Sequence, residues 1–248
     1  MYRGNLNVQP IPPSAQPPLK NAMLLQSSVG RQITHETVSI SSARELQYSY
    51  ESAGFETCVL EDPTLDDITR AMKEQSFKVI HICSSLRFAP SSGVFLDFNP
   101  DEYNEGKRSA ETGSARLVAS TIARALPYEH AALIILDVMR PFGQSQVLEQ
   151  LLLRNIFATE LMGLGRVSAI LAAGLTLSNE QVTANHRFAS MLGQEQTLRD
   201  IITETRRAAL SSDQPWRPEA DSLERIASVP LLSTALFTNT PELRLLRS

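Results

Sequence analysis

Residues 79–85 read Val-Ile-His-Ile-Cys-Ser-Ser, and residues 132–139 read Ala-Leu-Ile-Ile-Leu-Asp-Val-Met. Both are short, near-continuous apolar runs rich in β-branched residues, and both end in polar or sulfur-bearing side chains. Runs of this length without polar alternation mark strands buried on both faces, as in a parallel sheet. A third such run, Val167 to Leu175, follows the second after an apolar stretch of helical length at 145–164. Strand, helix, strand in that order fixes the fold class as α/β.

The pattern extends outward from these runs. Ala22 to Val29 and Phe55 to Leu60 read as further strands. Between them, Glu36 to Ala53 has helical spacing and stops at Gly54, a natural terminator. Thr64 caps a helix over 65–74, with Asp66 and Asp67 in its first turn complementing the helix dipole. The strand at 78–84 comes next, and Val94 to Phe98 is a short apolar run suited to a small hairpin or an edge. Residues 99–114 are charged and aperiodic, which predicts a surface loop. Ala115 to Leu126 is expected to be a helix ended by Pro127. The strand at 131–138 leads to the helix at 145–164, which is apolar on more than one face and so expected to be largely buried. Residues 179–210 read as mostly helical with a break at Gly193, 211–221 as a loop, and 231–238 as a last strand. Right-handed crossovers between such strands give a mostly parallel, doubly wound sheet with helices on both faces.

Composition bounds the function. The 248 residues are 42% hydrophobic, enough for one substantial core. Residues 1–20 are proline-rich and aperiodic, a flexible lead-in to a single domain over 21–248. The 23 basic and 27 acidic residues give a net charge of −4, with no basic footprint for nucleic acid. No run of 18 apolar residues offers a membrane span, and the N-terminus lacks a basic-then-apolar signal. The two cysteines, Cys58 and Cys83, fall inside strands, which suits free thiols in a reducing cytoplasm. No metal is expected, because no Cys/His pair with ligand spacing is backed by a second pair. No cofactor is expected either: neither G-x-x-x-x-G-K-[ST] nor G-x-G-x-x-G occurs, and no G-x-S-x-G elbow provides a serine nucleophile.

The run at 79–85, the run at 133–139 and the stretch from Leu164 to Gly174 together resemble the CHAT branch of the caspase-like cysteine peptidases. In that family a strand reading roughly H-F-x-x-H-G carries the catalytic histidine. A strand reading roughly L-V-L-S-A-C carries the nucleophile, and a G-L-A-x-x-F-L-A-A-G-A-x-x-V stretch follows. The resemblance covers roughly residues 22–240 and is most specific from Leu133 to Gly174. It implies a three-layer caspase-like sandwich with a six-stranded sheet, its final strand at Leu231 to Thr240. Aligned without gaps, Ser85 stands at the catalytic histidine position and Met139 at the cysteine position. Leu86 replaces the glycine after the histidine, and Arg140-Pro141 replaces the usual acidic-Thr pair.

Functional groups in such a sheet gather beyond the carboxyl ends of the strands. That rule selects a cleft of Ser84, Ser85, Arg87, Asp137, Met139 and Arg140. A thioether has no proton to lose, and a serine hydroxyl is no base near neutral pH. The catalytic set is therefore expected to be empty. Asp137, a carboxylate ending an apolar strand, needs a partner; Arg140 and Arg87 are the nearby candidates. His81 matches the family's first, non-catalytic histidine, and Cys83 shares its side of the strand. Both are expected to lie within the sheet rather than beyond its end. His130 and His186 read as structural or solvated.

The expected function is a non-catalytic caspase-like domain that recognises or assembles with another protein or itself, in bacterial signalling or defence. A homodimer through the last strand is one form this takes. Two alternatives remain at this point. One is a cysteine peptidase with an atypical dyad of Cys83 with His81 or His35, which calls for a low-pKa thiol. The other is a small-ligand sensor using the strand-end cleft.

Overall fold

Alternate residues of the run at 79–84 fall on opposite sides of a sheet, and each side has its own layer of helices. The computed structural model describes residues 20–26, 43–98, 116–126, 132–138, 147–172, 188–192, 194, 196–210 and 235–238. In chain order the elements are β1 (Asn21–Gln26), α1 (Ala43–Ser52), β2 (Glu56–Glu61), α2 (Leu65–Glu74), β3 (Val79–Ala89), β4 (Gly93–Asp97), β5 (Arg116–Val118), α3 (Ala119–Ala125), β6 (Ala132–Val138), α4 (Val147–Gly163), β7 (Val167–Ala172), α5 (Leu198–Leu210) and β8 (Ala235–Thr238).

Six strands form the main path in the order β2-β1-β3-β6-β7-β8. All neighbours up to β7 are parallel, and β8 closes the edge antiparallel to β7. The α/β class and the mostly parallel six-stranded sheet are as expected.

One face carries Met23, Leu25, Ile80, Ile82, Ile134, Leu136 and Ile170, covered by Ile68 and Met72 of α2, Ile122 of α3 and Leu153, Phe157 and Leu161 of α4. The other carries Ala22, Leu24, Val79, Leu133, Ile135, Ala169 and Leu171. It is covered by Leu46 and Tyr50 of α1, Leu198, Ile201 and Ile202 of α5, and residues 188–192. Ile134 and Leu136 lose all their exposure, and burying side chains of this size contributes roughly 1.5–3 kcal/mol each.

Local signals set several boundaries where expected. Gly54 ends α1 with a φ of 85°, a left-handed value costly for other residues. Thr64 and Asp67 form a reciprocal capping box at the start of α2: the Asp67 N–H donates to Thr64 Oγ1 at 3.2 Å, and the Thr64 N–H donates to Asp67 Oδ2 at 3.1 Å.

Three expectations need correction. The third strand does not stop at Ser84. Its last partner on β6 is Ser84↔Val138, after which Ser85 to Ala89 pair antiparallel with β4, from Ser85↔Asp97 to Ala89↔Gly93. Residues 116–118 are strand rather than helix, because Phe95↔Val118, Leu96↔Leu117 and Asp97↔Arg116 pair them with β4. Here tertiary pairing overrides a helical pattern. β4 and β5 thereby join the six-stranded path as a side branch off β3. Lastly, α4 buries only one side: Leu153, Phe157 and Leu161 face inward, whereas Leu152 is 60% and Ile156 37% exposed. Its inward face also carries Arg154, only 2% exposed and bonded to Asn155 Oδ1. Desolvation lowers this guanidinium to about 10, which still leaves it charged at neutral pH. The expected helix segment 36–42, the loop 99–114 and the proline-rich residues 1–19 lie outside the described residues.

Candidate functional site

The register of β3 against β6 builds the site. Pairing places His81 opposite Ile135 and Cys83 opposite Asp137. With a period of two, His81 and Cys83 share the face that α1 covers, and Asp137 joins them from the neighbouring strand. His81 is buried, at 2% exposure, whereas Cys83 and Asp137 are partly exposed. The imidazole, the thiol and the carboxylate each bring an atom within 4.8 Å of the other two. His81 Nε2 lies 3.9 Å from Asp137 Oδ2, beyond hydrogen-bond reach, and has no hydrogen-bond partner.

Helix α1 supplies the roof. Leu46 and Tyr50, one helical turn apart, point at the sheet. The Tyr50 hydroxyl meets His81 Nδ1 at 3.1 Å, and its ring stands edge-on to Phe55 with centroids 5.4 Å apart. Burial pushes the Tyr50 phenol well above its ordinary pKa, with Cys83 and Asp137 adding to the rise. Burial likewise pushes the Cys83 thiol well up, and the Asp137 carboxylate raises it further. A thiol in this setting is protonated at neutral pH, the reverse of what a displaced Cys83–His81 dyad calls for. The imidazole is also wrongly placed for a relay. In a nucleophile–base–carboxylate chain the two ring nitrogens face different partners. Here Nδ1 is engaged by Tyr50, and Nε2 is left facing both sulfur and carboxylate.

The expected strand-end cleft divides in two. Ser84 points to the opposite face from Asp137; its hydroxyl donates to the Asp97 carbonyl at 2.8 Å. Arg87 pairs with Asp97. Its Nε binds Asp97 Oδ2 at 2.8 Å across the β3–β4 ladder, because the extension of β3 carries Arg87 away from β6 and beside a mostly buried carboxylate on β4. Gln150 of α4 donates to the Leu86 carbonyl at 3.0 Å and ties the hairpin root to the helix layer. Ser85 is placed only by its backbone pairing with Asp97. Met139, Arg140, His35, His130 and His186 lie outside the described residues.

As expected, His81 and Cys83 lie within the sheet, both at paired positions of β3. Sequence reasoning missed Tyr50 as the imidazole's partner and Asp97 as the partner of Ser84 and Arg87. Tyr50 was within reach of the helical period that also places Leu46. Asp97 had no signal beyond being a carboxylate in an apolar run. Among the described residues, no helix is long and apolar enough to cross a membrane. No family model matches this chain, and no curated protein matches it.

Proposed function

We propose that this chain is a non-catalytic relative of the caspase-like cysteine peptidases, folded as their three-layer sandwich and used to recognise another protein or a second copy of itself. One observation carries the reading. β3 and β6 are adjacent and parallel, and their last pair is Ser84↔Val138. The residues that follow this pair in the sequence are Ser85 and Met139, the two positions where the resemblance calls for the histidine and the cysteine. The strand layout thus supports the alignment, while the residue types supply neither a base nor a nucleophile. The second cysteine candidate, Cys83, sits under Tyr50 with its thiol pKa raised, which supports the absence of peptidase activity.

The resemblance brings with it a setting in bacterial signalling or defence, where such domains accompany sensor modules. Two free cysteines suit the cytoplasm. The β8 edge is the surface through which a second copy would pair.

The test restores the missing groups. Full-length Met139→Cys and Ser85→His/Met139→Cys are compared in a Cys58→Ala/Cys83→Ala background for alkylation rate across pH, with sedimentation of the parent protein alongside. The reading expects the added histidine to lower the pH at which the new thiol reacts. It also expects the parent to cleave no peptide in a fluorogenic library. Equal profiles with and without the histidine would show that the two positions do not meet and would overturn the alignment. Peptide cleavage by the parent would overturn the non-catalytic assignment.

A further inference from the structure

We propose that His81, Cys83 and Asp137 form a binding site for a single zinc ion. Three donors converge there, and the site stands whether or not the strand ends are caspase-like.

The strand register fixes the donors. Cys83 and Asp137 are paired across β3 and β6, and His81 is two residues before Cys83 on the same face. Their ligand atoms all lie within 4.8 Å of one another, with Nε2 and Oδ2 at 3.9 Å. Bond lengths of about 2.0–2.3 Å in a tetrahedral zinc site place neighbouring ligand atoms roughly 3.3–3.6 Å apart. A small side-chain rotation therefore closes the cluster on an ion without moving the backbone.

The buried imidazole is the independent observation. His81 is 2% exposed, and its Nε2 faces the thiol and the carboxylate with no hydrogen-bond partner. A buried polar atom left in this way carries a cost that a bound cation removes. Its other nitrogen already has the outer partner that metal-bound histidines use. In the tautomer whose Nδ1–H donates to the Tyr50 oxygen, 3.1 Å away, the lone pair of Nε2 is directed at the site.

The donor set selects the metal. One imidazole nitrogen, one sulfur and one carboxylate oxygen form a mixed, borderline-soft set, unlike the all-oxygen shells of magnesium and calcium. On binding, the Cys83 thiol gives its proton to solvent and ligates as thiolate. Asp137 is 18% exposed, which gives the ion a way in from solvent. Three protein ligands leave the fourth tetrahedral position for water or for a donor brought by a ligand.

The test is a titration of chelator-treated, full-length protein with Co²⁺ as a spectroscopic stand-in, followed by displacement with Zn²⁺. The expected result is one equivalent bound, with a sulfur-to-cobalt charge-transfer band and the intense visible bands of tetrahedral cobalt. The bands should persist in Cys58→Ala, disappear in Cys83→Ser, and need at least about tenfold more Co²⁺ in Tyr50→Phe, which removes only the outer partner. Zn²⁺ alone should raise the melting temperature of the parent and of Cys58→Ala. If Cys83→Ser does not fold, Asp137→Asn, at a partly exposed position, carries the same comparison through weakened binding. Absence of the charge-transfer band in the parent, or a band that survives Cys83→Ser and is lost with Cys58→Ala, would overturn the assignment. So would a Zn²⁺-induced rise in melting temperature that Asp137→Asn leaves unchanged.

Discussion

Replacing Tyr50 with phenylalanine removes one oxygen from the core and nothing else. Tyr50 is fully buried, and its ring keeps the edge-on contact with Phe55 and the 6.0 Å approach to His81. No cavity of side-chain size opens, so the loss comes from the 3.1 Å hydrogen bond to His81 Nδ1. Because Nε2 is already without a partner, the variant leaves both nitrogens of a buried imidazole unsatisfied. Stranding a buried polar group costs about 1–3 kcal/mol, more than the net worth of an ordinary hydrogen bond. For a domain of this size, a loss of about 2 kcal/mol lowers the melting temperature by roughly 4–8 °C. Urea denaturation of metal-free protein, with an unchanged m-value, measures it directly. A double-mutant cycle with His81→Phe isolates the pair, and a coupling of about 1 kcal/mol or more is expected. A Tyr50→Phe variant within about 0.5 kcal/mol of the parent, or a coupling near zero, would refute the claim that this bond holds the imidazole in place.

Stability should fall on the alkaline side. Cys83, Tyr50 and Cys58 all have folded-state pKa values above their ordinary ones. Above the ordinary cysteine value of about 8.5 the unfolded chain therefore holds fewer protons than the folded one, and unfolding is favoured as pH rises. Urea midpoints should be level up to about pH 8 and decline beyond it, with a shallower decline in Cys83→Ala; a midpoint that climbs above that pH would contradict the burial of the thiol. Arg87→Ala should cost about 1–3 kcal/mol, because Asp97, only 6% exposed, loses a charged partner at 2.8 Å. Arg87→Lys should recover part of that loss, and a loss under about 0.5 kcal/mol in thermal melts would show that the pair is an ordinary surface contact.

The sequence by itself determined the elements whose causes are local. Apolar runs fixed β1, β3, β6 and β7, Thr64 with Asp67 fixed the start of α2, and Gly54 fixed the end of α1. Each depends on residues within about one turn or one strand length, so the pattern is visible without the fold. The same period of two placed His81 and Cys83 on one side of their strand. What the sequence could not contain is which strands lie together and in what register. Asp137 stands beside Cys83 only because β3 and β6 are neighbours paired Cys83↔Asp137. Tyr50 reaches His81 only because α1 packs on that face. The departure of β3 from the parallel sheet at Ser84 sends Arg87 to Asp97, and recruits 116–118 into a strand. Ligand-spacing rules search for donors close in the chain, and this cluster joins residues from two distant strands. Long-range pairing is decided by the burial of both sheet faces at once, a property of the whole chain that no local window records.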